Sequence, residues 1–391
     1  MVDSYGEGVA SPGRFNLRFY LRQQPVILTI VSVLLVFAFL FVTGLSGIYY
    51  SQRQALGARW FNRGIIDLKN SRFSAAVTEF RSALLYSRDD FAYQLNLAEA
   101  LVGMKHTEEA SSYLLNLWER EPDNGRVNLE LGRIAAQEGK IREASRYYHD
   151  AVYAAWPVNE EQTRREARME LIELLLRVND RAQADAELIA LSEGAGDDPE
   201  QQEKFGKLFL HVQDYERALA AYRTSLKSNK HPAECLSGAG YAAFQLGRYT
   251  QAQDYLRAAL ALDSKDTVSV DLLRTSELVV RMDPFRREIP AVERARIVKS
   301  AFGIAGDRLR ACETPKSPPS VAGSARTMNL ADEWAAAKPT VTQQSLRANP
   351  DLVDSTMDLV FRIERQTAVL CGTPTGENLA LLLMAKLHEG N

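Results

Sequence analysis

The sequence predicts an all-α protein: an N-terminal transmembrane helix, then an α-solenoid of repeated helix pairs, then a helical C-terminal extension. Three observations predict this. Residues 26–48 carry no charge, alanines recur every 34 residues through the middle of the chain, and the remainder shows helical periodicity broken by Pro-rich turns. The 391 residues hold 47 Lys and Arg against 50 Asp and Glu, a near balance that argues against a dedicated nucleic-acid binder. Hydrophobic residues make up 46% of the chain, enough to build cores along its length and to exclude a mostly disordered protein.

Residues 1–25 form a short polar tail with Arg14, Arg18 and Arg22. From Val26 to Ile48 the chain reads as uninterrupted apolar and small residues. As a helix this stretch would extend about 34 Å, enough to cross a hydrocarbon core of about 30 Å. Pro25 marks its entry, and Tyr49 and Tyr50 its exit, where amphipathic rings favour the headgroup level. The stretch is longer than the apolar core of a cleavable signal peptide. Arg53, Arg59, Arg63 and Lys69 follow it, so basic residues flank both ends and the charge rule barely discriminates orientation. An uncleaved anchor followed by a large domain points to a bacterial inner membrane crossed once, with residues 51–391 on the periplasmic side.

Residues 57–264 divide into six repeats. Ala76, Ala110 and Ala144 lie 34 apart, as do Ala184, Ala218 and Ala252, and an insertion near 156–164 separates the two triplets. Gly64, Gly132, Gly206 and Gly240 each stand twelve residues before the alanine of their repeat, where a missing side chain lets two helices approach. Phe80, Tyr148 and Tyr222 stand four residues after it, on the same helical face. Gly139 and Gly247 mark turns between the helices of a pair.

This pattern resembles the tetratricopeptide repeat (TPR) family. Trp60, Gly64, Phe73, Ala76, Phe80 and Ala83 carry the resemblance in the first repeat; Leu131, Gly132, Gly139, Ala144, Tyr148 and Ala151 carry it in the third. Arg63 and Asp67 depart from the family's apolar preference, and the fourth repeat keeps little beyond Ala184 and its leucines. The resemblance implies a non-catalytic scaffold whose first helices line a groove for a protein or peptide partner. Carried onto this sequence, the groove comprises Phe61, Ile65 and Leu68, then Leu95 and Glu99, Leu129 and Arg133, and later Lys207, Tyr241 and Phe244. The family's chaperone-binding members grip a carboxylate with Lys and Asn; here Phe61, Ile65, Asn96, Glu99, Arg126 and Glu130 stand at those places, so that clamp is not expected. The reading makes the first two repeats an apolar groove, with Phe61 and Ile65 replaceable by Asp without loss of fold.

Residues 265–391 lose the 34-residue phase and read as a helical cap and extension. Helices are expected at Thr267–Met282, Ala291–Ala311, Leu330–Ala337, Pro350–Leu370 and Glu377–His388, with a Pro- and Ser-rich loop at 313–328. Cys312 and Cys371 each end one of these helices and precede similar Thr-Pro segments. In an oxidising compartment they are placed to form a disulfide; in a reducing one they stay thiols. Cys235 reads as a small buried hydrophobe.

No catalytic residue, cofactor site or metal site is expected. The five histidines are scattered, and no phosphate-binding glycine loop or nucleophile elbow occurs. The sequence therefore points to a membrane-anchored scaffold, with a structural subunit of a larger membrane complex as the alternative. Its partners are the lipid bilayer and another protein.

Overall fold

The computed structural model describes residues 17–228, 232–313 and 321–388, and among them every regular element is helical. The chain divides into two compact units, Met1–Ala167 and Arg168–Asn391. The boundary falls in the fourth repeat, just after the insertion.

Unit 1 begins with α1 (Leu17–Lys69), a single 53-residue helix. It contains a stretch long and apolar enough to cross a membrane. The helix starts before Pro25 rather than after it, and it runs past the apolar stretch to become the first helix of the first repeat. From residue 28 to 52 it is exposed on every face, and from residue 28 onward Gly57 is the first buried residue. The remaining elements are α2 (Phe73–Leu84), α3 (Phe91–Gly103), α4 (Thr107–Arg120), α5 (Gly125–Gln137) and α6 (Ile141–Tyr153). The insertion forms a short 3-10 turn at Val158–Glu160 before α7 (Glu161–Arg177), in which the unit ends. Trp156 folds back over Gly125 and donates its indole N–H to the Ala151 carbonyl at 2.7 Å.

Unit 2 continues the repeats with α8 (Arg181–Glu193), α9 (Pro199–Val212), α10 (Tyr215–Ser225), α11 (Pro232–Gln245) and α12 (Tyr249–Leu262). The extension adds α13 (Thr267–Met282), α14 (Ala291–Glu313), α15 (Val321–Ala337), α16 (Gln343–Ala348), α17 (Pro350–Cys371) and α18 (Gly376–Leu387). Two of these correct the sequence reading. The expected loop at 313–328 is helical from Val321, and α16 lies in a stretch expected to be loop; residues 314–320 lie outside the described residues. Thr342 caps α16 through its hydroxyl, a start signal in an otherwise unperiodic segment.

The repeated residues have one packing role. All six alanines are fully buried. A Cβ built on Gly64 would come within 2.5 Å of the Phe80 ring, on Gly132 within 2.9 Å of Tyr148, and on Gly206 within 2.8 Å of Tyr222. Each ring thus lies on bare backbone of the paired helix. Where a leucine replaces the ring, the facing residue can be larger: Ala98 goes with Leu114, and Ile172 with Leu188, all fully buried.

The turn inside each pair is also invariant, which the sequence shows at only two places. Ser71, Lys105, Gly139, Asn179, Gln213 and Gly247 all adopt positive φ, between 57° and 73°, five residues before the alanine. The next residue donates its N–H back to the carbonyl five residues earlier, from Arg72 to Asp67 at 2.8 Å through Arg248 to Ala243 at 2.9 Å. This left-handed cap satisfies carbonyls the helix end would otherwise orphan. Four of the six positions therefore carry a side chain where glycine fits with less strain. Lys105→Gly and Gln213→Gly should each stabilise the protein by about 0.5–1 kcal/mol, whereas Gly139→Ala should destabilise it by about 1 kcal/mol, read from urea-unfolding midpoints.

Candidate partner-binding surface

The groove residues expected in unit 1 separate into two groups. Leu95 is 3% exposed and Leu129 1%, so both belong to the core and cannot line a groove. Phe61 stacks on Tyr93 at 4.8 Å between ring centroids and packs near Phe80 at 5.7 Å. Ile65 and Leu68 pack against the same core. The apolar end is thus largely spent on joining α1 to α2 and α3, and Asp at Phe61 would open that core rather than leave the fold intact. The helical period cannot separate a half-buried face turned to a neighbouring repeat from one turned to a groove.

What remains at this surface is polar. Arg126 donates from Nε and Nη2 to Glu99 at 2.9 and 2.5 Å, bridging α5 to α3, and its Nη2 also reaches Asn96 at 3.4 Å. Further along α5, Arg133 donates to Glu130 at 2.5 Å. The carboxylates are the sunken partners: Glu99 and Glu130 side chains are 15% and 5% exposed, against 30% and 32% for Arg126 and Arg133. Burial pushes the Glu99 carboxyl above its ordinary value, against the pull of Arg126 and Arg133, and Glu160 from the insertion adds to the rise. Two guanidinium groups are therefore held at the surface by carboxylates beneath them. Planar Arg donors so fixed suit recognition of carboxylates and carbonyls on a peptide.

Glu99 and Arg133 belong to the expected groove, whereas Arg126 and Glu130 enter the sequence reading only as places where the family's carboxylate clamp is missing. The signal for them lies in spacing: Arg126, Glu130 and Arg133 occupy one face of a helix at intervals of four and three.

In unit 2, Lys207 bridges Glu203 at 2.7 Å and Glu234 at 2.8 Å, joining α9 to α11. Those two hydrogen bonds, Glu203 first, hold its ammonium above the ordinary lysine value. Tyr241 meets Tyr215 edge-on at 6.3 Å. Phe244 packs with Tyr249 at 5.3 Å into the core of the extension, so it is covered rather than offered to a partner. The reason is that α13 folds back on the last pair: Gln253 donates to the Ser276 carbonyl at 3.1 Å, and Ser237 to Asp266 at 2.9 Å.

Cys312 and Cys371 form a disulfide between the ends of α14 and α17, with Cα atoms 5.9 Å apart. Cys235 is fully buried beside Ser225. Among the described residues, no three His, Cys, Asp or Glu side chains gather as a metal site.

The tetratricopeptide repeat family model matches residues 95–160 and 204–267, about a third of the chain. No curated protein matches the sequence. Among solved structures, the chain is similar to YrrB, described as a TPR protein with an unusual peptide-binding site, at 16% identity and a TM-score of 0.41, covering 49% of this chain and 95% of that one. It is similar to Pseudomonas aeruginosa pilF at 16% identity and a TM-score of 0.41, covering 56% and 96%. A third structure, PilW, described as a widely conserved type IV pilus biogenesis factor, shows 14% identity and a TM-score of 0.39, covering 56% and 97%.

Proposed function

We propose that this TPR protein is a scaffold anchored in a bacterial inner membrane by α1, which captures a partner protein or peptide on the polar face of α3 and α5. The observation that carries the reading is the pair of arginines, Arg126 and Arg133, with side chains about one-third exposed (30% and 32%) and set on sunken carboxylates. Anchoring confines the scaffold to the membrane plane and raises its effective concentration toward partners there, so a modest groove affinity suffices. The bulk of the chain lies on the periplasmic side, a placement supported by the Cys312–Cys371 bridge, since disulfides persist in oxidising compartments.

Glu99→Arg with Arg126→Glu tests the surface. The swap keeps an internal ion pair while reversing the charges presented. It should lower partner capture by about ten-fold or more, with the fold of the variant checked by helicity and cooperative urea unfolding. Undiminished capture by the folded variant would move the binding surface elsewhere.

A structural subunit of a larger membrane complex is the second reading, favoured by the bare apolar stretch of α1, where Gly44 and Gly47 have open space beside them. Extraction in mild detergent separates the two: a stoichiometric complex resistant to peptide competition supports the subunit, and a peptide-displaceable partner supports the scaffold.

A further inference from the structure

We infer that the turn between α2 and α3, led by Leu85, rests on the lipid surface and sets the tilt of unit 1 against the bilayer. The inference depends on the reading of α1 as a membrane span. Because α2 runs antiparallel to the end of α1, its C-terminus returns to the end of the unit from which the apolar stretch emerges. Arg53 fixes that return by donating from Nη2 to the Leu85 carbonyl at 3.0 Å. One turn on, Tyr86 closes against Gly57, where an added Cβ would lie 3.2 Å from the Tyr86 Cβ.

This geometry determines the depth of Leu85. Tyr49 and Tyr50 are 61% and 60% exposed at the end of the apolar stretch, and Arg53 follows three residues later. At 1.5 Å per residue that is about 4.5 Å along the helix, within a headgroup layer of about 5–7 Å on each side of the hydrocarbon. Leu85 is 75% exposed at this level, and Leu56 on the neighbouring turn of α1 is 41% exposed. Arg88 is exposed in the same turn, with Asp89 an opposing charge beside it. An exposed leucine continuous with a lipid-facing helix and flanked by arginines fits a phospholipid interface. The turns at the far end of the unit, such as that before α4, stand a full α3 length away, about 20 Å.

The test uses the full chain in a Cys235→Ala background, with the native disulfide intact and a bimane label on a single introduced cysteine. Labels go at Leu40 in the apolar stretch, Leu85 in the turn, and Glu108 at the far end, in phosphatidylcholine–phosphatidylglycerol vesicles doped with nitroxide lipid. Quenching at Leu40 and Leu85 should exceed that at Glu108 by about two-fold or more. Quenching at Leu40 with none at Leu85 overturns the docking of the turn and leaves the span standing. No quenching at any position overturns both readings. Equal quenching at Leu85 and Glu108 also overturns the inference, because the whole unit would then lie on the surface without a preferred edge.

Discussion

Cys312→Ser with Cys371→Ser should destabilise unit 2 by about 4 kcal/mol, the loop-closure entropy of a cross-link spanning 59 residues. The bridge ties the ends of α14 and α17, whose packing forms the centre of the extension's core, so its loss releases both helices in the unfolded chain. Trp334 reports on this unit: it stacks on Phe302 at 5.2 Å and donates to the Phe302 carbonyl at 3.0 Å. Its urea transition should shift to lower denaturant in the double variant and, equally, in wild type treated with dithiothreitol. The reductant should leave the variant unchanged. A wild-type midpoint indifferent to reduction would show that the bridge contributes nothing to stability.

A second large effect lies beside that bridge. Glu364 is fully buried on α17, 3.4 Å from Arg308 on α14. Arg308 spends its donors elsewhere, Nε on the Thr367 hydroxyl at 2.8 Å and Nη2 on the Gly372 carbonyl at 2.8 Å. Neither carboxylate oxygen of Glu364 has a hydrogen-bond partner among the described residues. Burial outweighs the attraction of Arg308 and pushes the carboxyl from 4.5 up to about 7. Between those values the folded state holds a proton that the unfolded state has lost. Stability from this group is therefore greatest below pH 4.5 and falls as pH rises toward 7, by about 3 kcal/mol in all. Glu364→Gln removes the titration. The difference in unfolding free energy between the Glu364→Gln variant and wild type should thus swing by most of that amount, in favour of the variant, from about pH 5 to about pH 8. A flat difference across the range would mean that Glu364 ionises normally in the fold.

The repeats are legible because they reuse one contact. An alanine, a glycine twelve residues before it and a ring four after it meet at one helix crossing, and three such residues at fixed intervals suffice to reveal the pair. The starts of Thr267–Met282 and Pro350–Cys371 are equally plain, since Asp266 and Asn349 cap these helices through side-chain oxygens. The turns are only partly legible. Ser71, Lys105, Asn179 and Gln213 take a left-handed conformation for which their residue types give little warning, because six tertiary crossings impose the same cap. The groove reads wrongly for a different reason. Leu95, Leu129 and Phe244 lie at positions the family presents outward, yet packing between successive repeats and the return of α13 bury them or cover them. Of the charged members of the expected groove in unit 1, Glu99 is sunken and Arg133 stays at the surface. The Arg126–Glu99 pair depends on a contact between helices that no local pattern encodes, whereas Arg133–Glu130 follows from spacing along α5.

The continuity of α1 makes residue count an angular coordinate. With no loop between the apolar stretch and Gly57, the first repeat is clocked around the helix axis by the number of residues that separate them. Each residue advances the azimuth by about 100° and the height by about 1.5 Å. One added residue would turn the Arg126–Arg133 face to a different quarter around the helix axis, whereas four would nearly restore its bearing one turn higher. The direction in which the polar face looks, relative to the apolar stretch, is therefore written in the spacing between Ile48 and Gly57.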